Sequence, residues 1–190
     1  MKKTQLSQKS IIEISAALFR SKSYTEVSMR DIARKLDVKA ASLYNHIKSK
    51  QEILELIIFE LVNVFMTKID STHCKNTDVK SKLIEIIQTH IDIAIQKPNA
   101  FATLNNDWKY LDSTLKAKFL TKRENYENTL KKIIVEGQSE GIITKRNPDI
   151  IIYMMLSPLR TLHLWYKKKH QSDATLRKEI PELILGGMFI

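Results

Sequence analysis

The chain has 190 residues, 43% hydrophobic and 27% charged, with a formal net charge of +10, one cysteine, 4 Gly and 4 Pro. That is enough chain to bury a real core in one or two domains, and the composition excludes a disordered, collagen-like or disulfide-framed protein. Lone Cys74 cannot form an internal disulfide, the N-terminus lacks the apolar segment of a signal peptide, and the best apolar run, Ile150 to Leu156, falls far short of the roughly 20 residues a spanning helix needs; a reducing cytoplasm and no membrane are expected.

The charge is unevenly placed. Residues 1–50 hold eleven Lys or Arg, Lys2 and Lys3 among them, against four acids, while the other 140 residues share a surplus of only three. Basic composition alone also arises from genome bias; its concentration at one end points to a polyanion partner.

With few glycines and prolines, no strand-length alternation, and long Ile/Leu/Lys/Glu stretches, the fold class is all-α. The first helix spans about 7–21, with Ile11, Ile14, Ser15, Leu18 and Phe19 on its buried face. Residues 25–28 lead into a second helix, started by Ser28 with Asp31 three positions on and buried through Ile32, Ala33 and Leu36. Leu36-Asp37-Val38 form a tight turn. In the helix that follows, Leu43 and Ile47 recur at i, i+4 and face inward, leaving Lys39, Ser42 and His46 on the opposite face with Tyr44 and Asn45 at its edges. Two short helices around a tight turn, the second lined with outward polar groups, suit a DNA groove.

Ser49 and Glu52 form an S-x-x-E start for a long linking helix over about 50–72. Residues 73–78 read as a loop, and 79–96 as a helix buried through Leu83, Ile86, Ile87, His90, Ile91 and Ala94. Pro98 opens a short helix carrying Phe101, Leu104, Trp108 and Leu111, interrupted by the polar run Asn105-Asn106-Asp107, which suits solvent. A long helix over 113–138 follows, through Leu115, Phe119, Tyr126, Leu130, Ile133 and Ile134, closed by Gly141. Asn147-Pro148 starts a helix to about Tyr166 that Pro158 should kink or split, and 173–185 form the last helix, stopped by Gly186-Gly187. Both late helices are too apolar to stand alone in water, so each needs core on one face and a partner subunit on the other.

The stretch MRDIARKLDVKAASLYNHIKSKQEIL, preceded by FRSKSYTEVS, resembles the TetR family of bacterial transcriptional regulators over residues 9–55. The resemblance implies a homodimer of two-part subunits, a DNA-binding head over 1–49 and a helical effector-binding and dimerisation unit over 50–190, acting on a palindromic double-stranded operator in the bacterial cytoplasm and nucleoid. On matching positions, Lys39, Ala40, Ser42 and Asn45 would face bases or flanking phosphates. Tyr44, His46, Ser28 and Lys50 would grip the DNA backbone, and Arg30 would reach a base or a phosphate. The chain departs from the family pattern at Asp37 and Ser23, where Gly is usual, at Lys39 in place of a capping Ser, and at Ile47 in place of Phe.

Beyond residue 72 the likeness thins. NNDWKYL, GQSEGII and LHLWYKK are similar to family branches that sense fatty acyl or steroid thioesters, so the effector, of unknown identity, would be apolar or acyl-thioester-like. Phe65, His90, Phe101, Asn105, Trp108, Tyr126 and Met155 are the pocket candidates, and the same residues also fit an ordinary core. No cofactor, metal site or enzymatic activity is expected: His73 and Cys74 are adjacent rather than at ligand spacing, and no nucleophile motif or glycine-rich phosphate loop occurs. The leading expectation is a ligand-released repressor. A constitutive DNA-binding or architectural protein of this fold, and a basic protein-interaction or membrane-surface module, stand as alternatives.

Overall fold

The computed structural model describes residues 6–189, and Lys2 and Lys3 of the basic segment lie outside them. The described residues form α-helices joined by turns, with one isolated antiparallel bridge, Ile143 to Phe189, and no strand. They divide into two compact units. One runs to Val62 and takes in Asn99–Leu120; the other comprises Asn63–Pro98 and Thr121 onward. The boundary therefore differs from the expected division at residue 49. The reason is that residues 99–110 pack with the head: Tyr110 stacks on Tyr24, Gln51 donates to the Tyr110 carbonyl, and Arg20 bonds Asn99.

In the first unit, helix α1 (Gln8–Lys22) is started by Ser7, which accepts the Ser10 N–H while the Ser10 hydroxyl oxygen accepts from the Ser7 backbone. Ser23 ends it at φ 85°, a left-handed position with no glycine to relax it. Helix α2 (Met29–Lys35) and the single-turn α3 (Ala40–Leu43) follow, and α2 packs on both α1 and α3. Phe19, Val27, Ile32, Ala33, Leu43 and Ile47 are buried here, together with Ile53, Leu54, Ile57 and Ile58 at the start of α4 (Lys50–His73). Truncating one such fully buried Leu or Ile to Ala costs about 2–5 kcal/mol. Helix α6 (Pro98–Asn106), a 3-10 turn over Trp108–Tyr110 and the start of α7 (Ser113–Ser139) complete the unit.

The second unit is organised on α5 (Val79–Gln96), capped by Asp78 on the Ser81 N–H. Leu83, Ile86, Ile87, Ile91 and Ala94 are buried, and α5 packs against α8 (Pro148–Trp165) and α9 (Asp173–Gly186). Gly137 on α7 permits a close approach: a Cβ there would lie 2.7 Å from Ile143 Cδ1 and 2.9 Å from Val79 Cγ1. Gly141, at φ 74°, turns the chain after α7.

Pro158 does not split α8, which continues to Trp165. The carbonyl that Pro158 cannot serve belongs to Met154, which is 71% exposed, so water can take that bond. The inner face of α8 is buried through Ile151, Ile152, Met155, Leu156, Leu159 and Leu162, while Ile150, Tyr153, Met154 and Leu164 are exposed. Among the described residues no helix is long and apolar enough to cross a membrane.

Candidate nucleic-acid interface

The start of α2 is fixed by Ser28 and Asp31. The Ser28 Oγ accepts the Asp31 N–H at 3.2 Å and donates to the Asp31 carboxylate, which also accepts the Ser28 N–H at 2.9 Å. Those bonds hold the Asp31 carboxyl below its ordinary range. The Ser28 hydroxyl is thus engaged in the cap rather than held out for a phosphate.

The turn after α2 has Asp37 at φ 57°, so the glycine-favouring geometry is kept without glycine. The Val38 N–H reaches the Ala33 carbonyl at 3.0 Å and closes it. Lys39 then stands extended before α3 and makes no side-chain cap bond, consistent with lysine offering no acceptor. Without a cap or a first-turn acid, α3 keeps regular form for only four residues, shorter than the apolar spacing of Leu43 and Ile47 suggests. The His46 and Ile47 N–H groups still bond the Leu43 carbonyl, which carries the coil onward and buries Ile47.

Around this element Lys39, Tyr44, Asn45 and His46 are exposed, whereas Ala40 and Ser42 are half-buried. Arg30, Arg34 and Lys39 line one shallow depression with Asp37 and Ala40. Arg34 is absent from the residues expected from sequence; it lies one helical turn after Arg30 on the same face, the spacing that would have found it. The structure therefore presents a cationic edge beside exposed hydrogen-bonding side chains, the combination that grips phosphates and reads base edges.

Lys50 requires a correction. Its ammonium does not stand out from the first turn of α4 as a phosphate anchor; it donates to the Tyr24 carbonyl at 3.0 Å and the Val27 carbonyl at 2.9 Å, and lies 4.3 Å from the Tyr24 ring centroid. Burial lowers its pKa. Two carbonyls in the α1–α2 connection lack helical partners, and the lysine satisfies both.

Tyr24 is the hub of that connection. Its hydroxyl donates to Gln51 Oε1 at 2.8 Å, its ring meets Phe19 edge-on, and it stacks on the Tyr110 ring with centroids 5.5 Å apart. Asp107 is buried, contrary to the expected solvent-facing polar run, because its N–H bonds the Thr103 carbonyl and so continues the coil one turn beyond fully buried Thr103, on the same inward face. Burial pushes its carboxyl up to about 6, against the opposing effects of the Tyr24 backbone and Lys109. Asn106 is exposed, and Asn105 donates to the Phe101 carbonyl at 2.8 Å.

The seven effector-pocket candidates are divided between the units. Phe101, Asn105 and Trp108 belong to the first, where Trp108 stacks on Phe119 with centroids 5.4 Å apart. Phe65, His90, Tyr126 and Met155 belong to the second. There His90 Nε2 and the Tyr126 hydroxyl are 2.9 Å apart, and Phe65 lies 4.5 Å from the His90 ring. Met155 is fully buried. Among the described residues no group of three His, Cys, Asp or Glu could hold a metal.

A family model described as bacterial regulatory proteins, tetR family, matches residues 11–57, and one described as Tetracyclin repressor-like, C-terminal domain, matches residues 76–188. The chain is 30% identical over 97 residues to the uncharacterized HTH-type transcriptional regulator YobS of Bacillus subtilis, a match spanning 50% of this chain and 50% of that relative's length. It is 21% identical over 192 residues to the fatty acid metabolism regulator protein of the same organism, covering 99% of this chain and 98% of that one. Its fold is similar to the crystal structure of AibR in complex with isovaleryl coenzyme A and operator DNA, with TM-score 0.80 and 18% identity over 93% of this chain and 96% of that one.

Proposed function

The chain belongs to the TetR family of bacterial regulatory proteins, and on that premise we propose that it is a homodimeric repressor that occupies a palindromic operator until a small effector binds its C-terminal unit. The observation that carries the DNA-binding part is the cationic edge of Arg30, Arg34 and Lys39 beside α3, backed by buried Leu43 and Ile47. Lys39 and Arg30 read base edges, and half-buried Ser42 and Ala40 permit close approach. Tyr44, Asn45, His46 and Arg34 meet the phosphates. Ser28 and Lys50 act by holding α2 and its approach in place.

Dimerisation is supported by the outer face of α8 and α9. Ile150, Tyr153, Met154 and Leu164 recur at helical spacing on one exposed stripe, and Leu183 on α9 is 77% exposed. An apolar stripe of that kind, carried identically by two copies, suits a two-fold interface. A two-fold pair of heads then requires inverted half-sites.

The effector reading rests on the kinship to a fatty acid metabolism regulator and the fold shared with a coenzyme A thioester complex, which together support an apolar acyl ligand. Helix α4 begins in the first unit and ends in the second, a covalent route by which ligand binding reaches the head. The switch requires the ligand to bind the released state more tightly than the DNA-bound one. Fluorescence anisotropy on a selected operator tests this: an acyl thioester should both raise the melting temperature and release DNA. Operator binding insensitive to every acyl compound would replace the repressor by a constitutive binder.

A further inference from the structure

We propose that the C-terminal unit recognises an anionic amphiphile, with Arg123 and Arg160 taking its carboxylate or phosphate and the Tyr126–His90 pair taking a carbonyl oxygen beside it. This rests on the effector reading above and narrows it to a ligand class and four residues.

Both guanidiniums converge on one oxygen. Arg123 Nε and Arg160 Nη2 each lie 3.1 Å from Oε1 of Glu127, so one carboxylate serves two cations and the cluster keeps an excess positive charge. Their side chains are 33% and 28% exposed and that of Glu127 is 21% exposed. The cluster is therefore open to a solute yet shielded enough for charge to count. A bidentate guanidinium is suited to carboxylate and phosphate oxygens, and Glu127 occupies that place in the present state.

Tyr126 precedes Glu127 on α7 and bonds His90 on α5, with Phe65 against both rings. Burial holds the His90 imidazole down to about 3, with the Arg160 charge adding to the effect, and raises the Tyr126 hydroxyl pKa. Arg123 stands three residues before Tyr126 on α7, so the two share a helix face, and both groups of the pair stay uncharged at neutral pH. Tyr126 nevertheless retains partial solvent exposure. When His90 Nε2–H donates to the Tyr126 oxygen, the Tyr126 hydroxyl proton is left to donate to a carbonyl, and the buried Phe65 ring against both supplies an apolar surface for a chain. A carboxylate carries anion and carbonyl in one group; a coenzyme A thioester separates them.

The test is calorimetric titration of the full-length dimer with a chain-length series of free fatty acids, the matching coenzyme A thioesters and the matching n-alcohols. Wild type should bind at least one anionic series, and the alcohols at least about tenfold more weakly. Binding of fatty acids alone assigns the anion to the carboxylate, and of thioesters alone to the phosphates. Arg160→Gln should weaken anion binding about tenfold while leaving alcohol binding unchanged. Glu127→Gln, which removes the internal competitor, should strengthen it, an opposite sign that mere destabilisation would not give. Equal affinity for alcohols and anions, no binding by any series, or an unchanged anion affinity in both variants would overturn the proposal. Each of those results leaves operator binding by the same preparation as a separate check on the repressor reading.

Discussion

Tyr110 stacks on Tyr24 with ring centroids 5.5 Å apart, bringing the segment before α7, buried Asp107 included, against the connection between α1 and α2. The fold thereby places a carboxyl whose pKa is raised to about 6 within the unit that carries the DNA-binding edge. Between the ordinary carboxylate range and that value, the native protein holds a proton that the unfolded chain has released. Stability from this group is therefore present at low pH and lost as pH rises through about 6. Asp107→Asn should reduce the fall in melting temperature between pH 5 and pH 7.5, as read by thermal denaturation. A wild-type-to-variant difference that is the same at both pH values would contradict this.

Lys50 is expected to act on stability rather than on ionic contact with DNA. Lys50→Met deletes two charge-assisted hydrogen bonds and leaves the Tyr24 and Val27 carbonyls without that donor, a loss on the order of 2 kcal/mol. Denaturant unfolding should show it. The slope of log affinity against log salt should stay at the wild-type value, whereas loss of one phosphate contact would reduce it by about 1.

Arg34 and Lys39 should separate in their effects. Arg34→Ala should weaken binding to operator and random DNA alike and lower the salt slope by about 1, as a phosphate contact does. Lys39→Ala should change which bases are preferred in the half-site, at about 1–3 kcal/mol for the affected position. Uniform weakening on every sequence by Lys39→Ala would remove its base-reading role.

The α8–α9 stripe is tested by charge. Met154→Glu and Leu183→Glu introduce a carboxylate at exposed apolar positions that core packing does not use. Sedimentation velocity should show monomers in place of dimers, with the far-ultraviolet circular dichroism retained and operator affinity sharply reduced. A variant that stays dimeric would move the interface elsewhere.

Much of the architecture is written locally. Helix starts follow from Ser7 with Ser10, Ser28 with Asp31, Asp78 with Ser81 and Asn147 before Pro148, because each cap lies within three residues of the N–H it satisfies. Ser49 shows the limit of such reasoning. It accepts the Glu52 N–H as its spacing suggests, but Glu52 returns its bond to Lys48. The positive φ at Asp37 is likewise legible from the family pattern, whose turn has Gly there.

What sequence could not supply is the partner of a long side chain. The inward turn of Lys50 depends on carbonyls more than 20 positions earlier, and the packing of the segment around Asp107 depends on the stack of Tyr110 on Tyr24. Spacing placed Phe101 and Trp108 with Phe65 and Tyr126 because all four sit at helical intervals; the packing of residues 99–110 with the head assigns them differently. Arg123 and Arg160 share Glu127 across α7 and α8, a relationship no helical period contains.

Operator binding by a two-fold dimer is read out by selection of bound sequences from a random DNA pool with the whole chain, at near-physiological salt and against excess competitor. The enriched sequences should contain one short motif repeated in inverted orientation, with centres about one helical turn or a multiple of it apart. Failure to enrich any motif, or enrichment of a single half-site with no inverted partner, would contradict a dimeric operator-binding regulator.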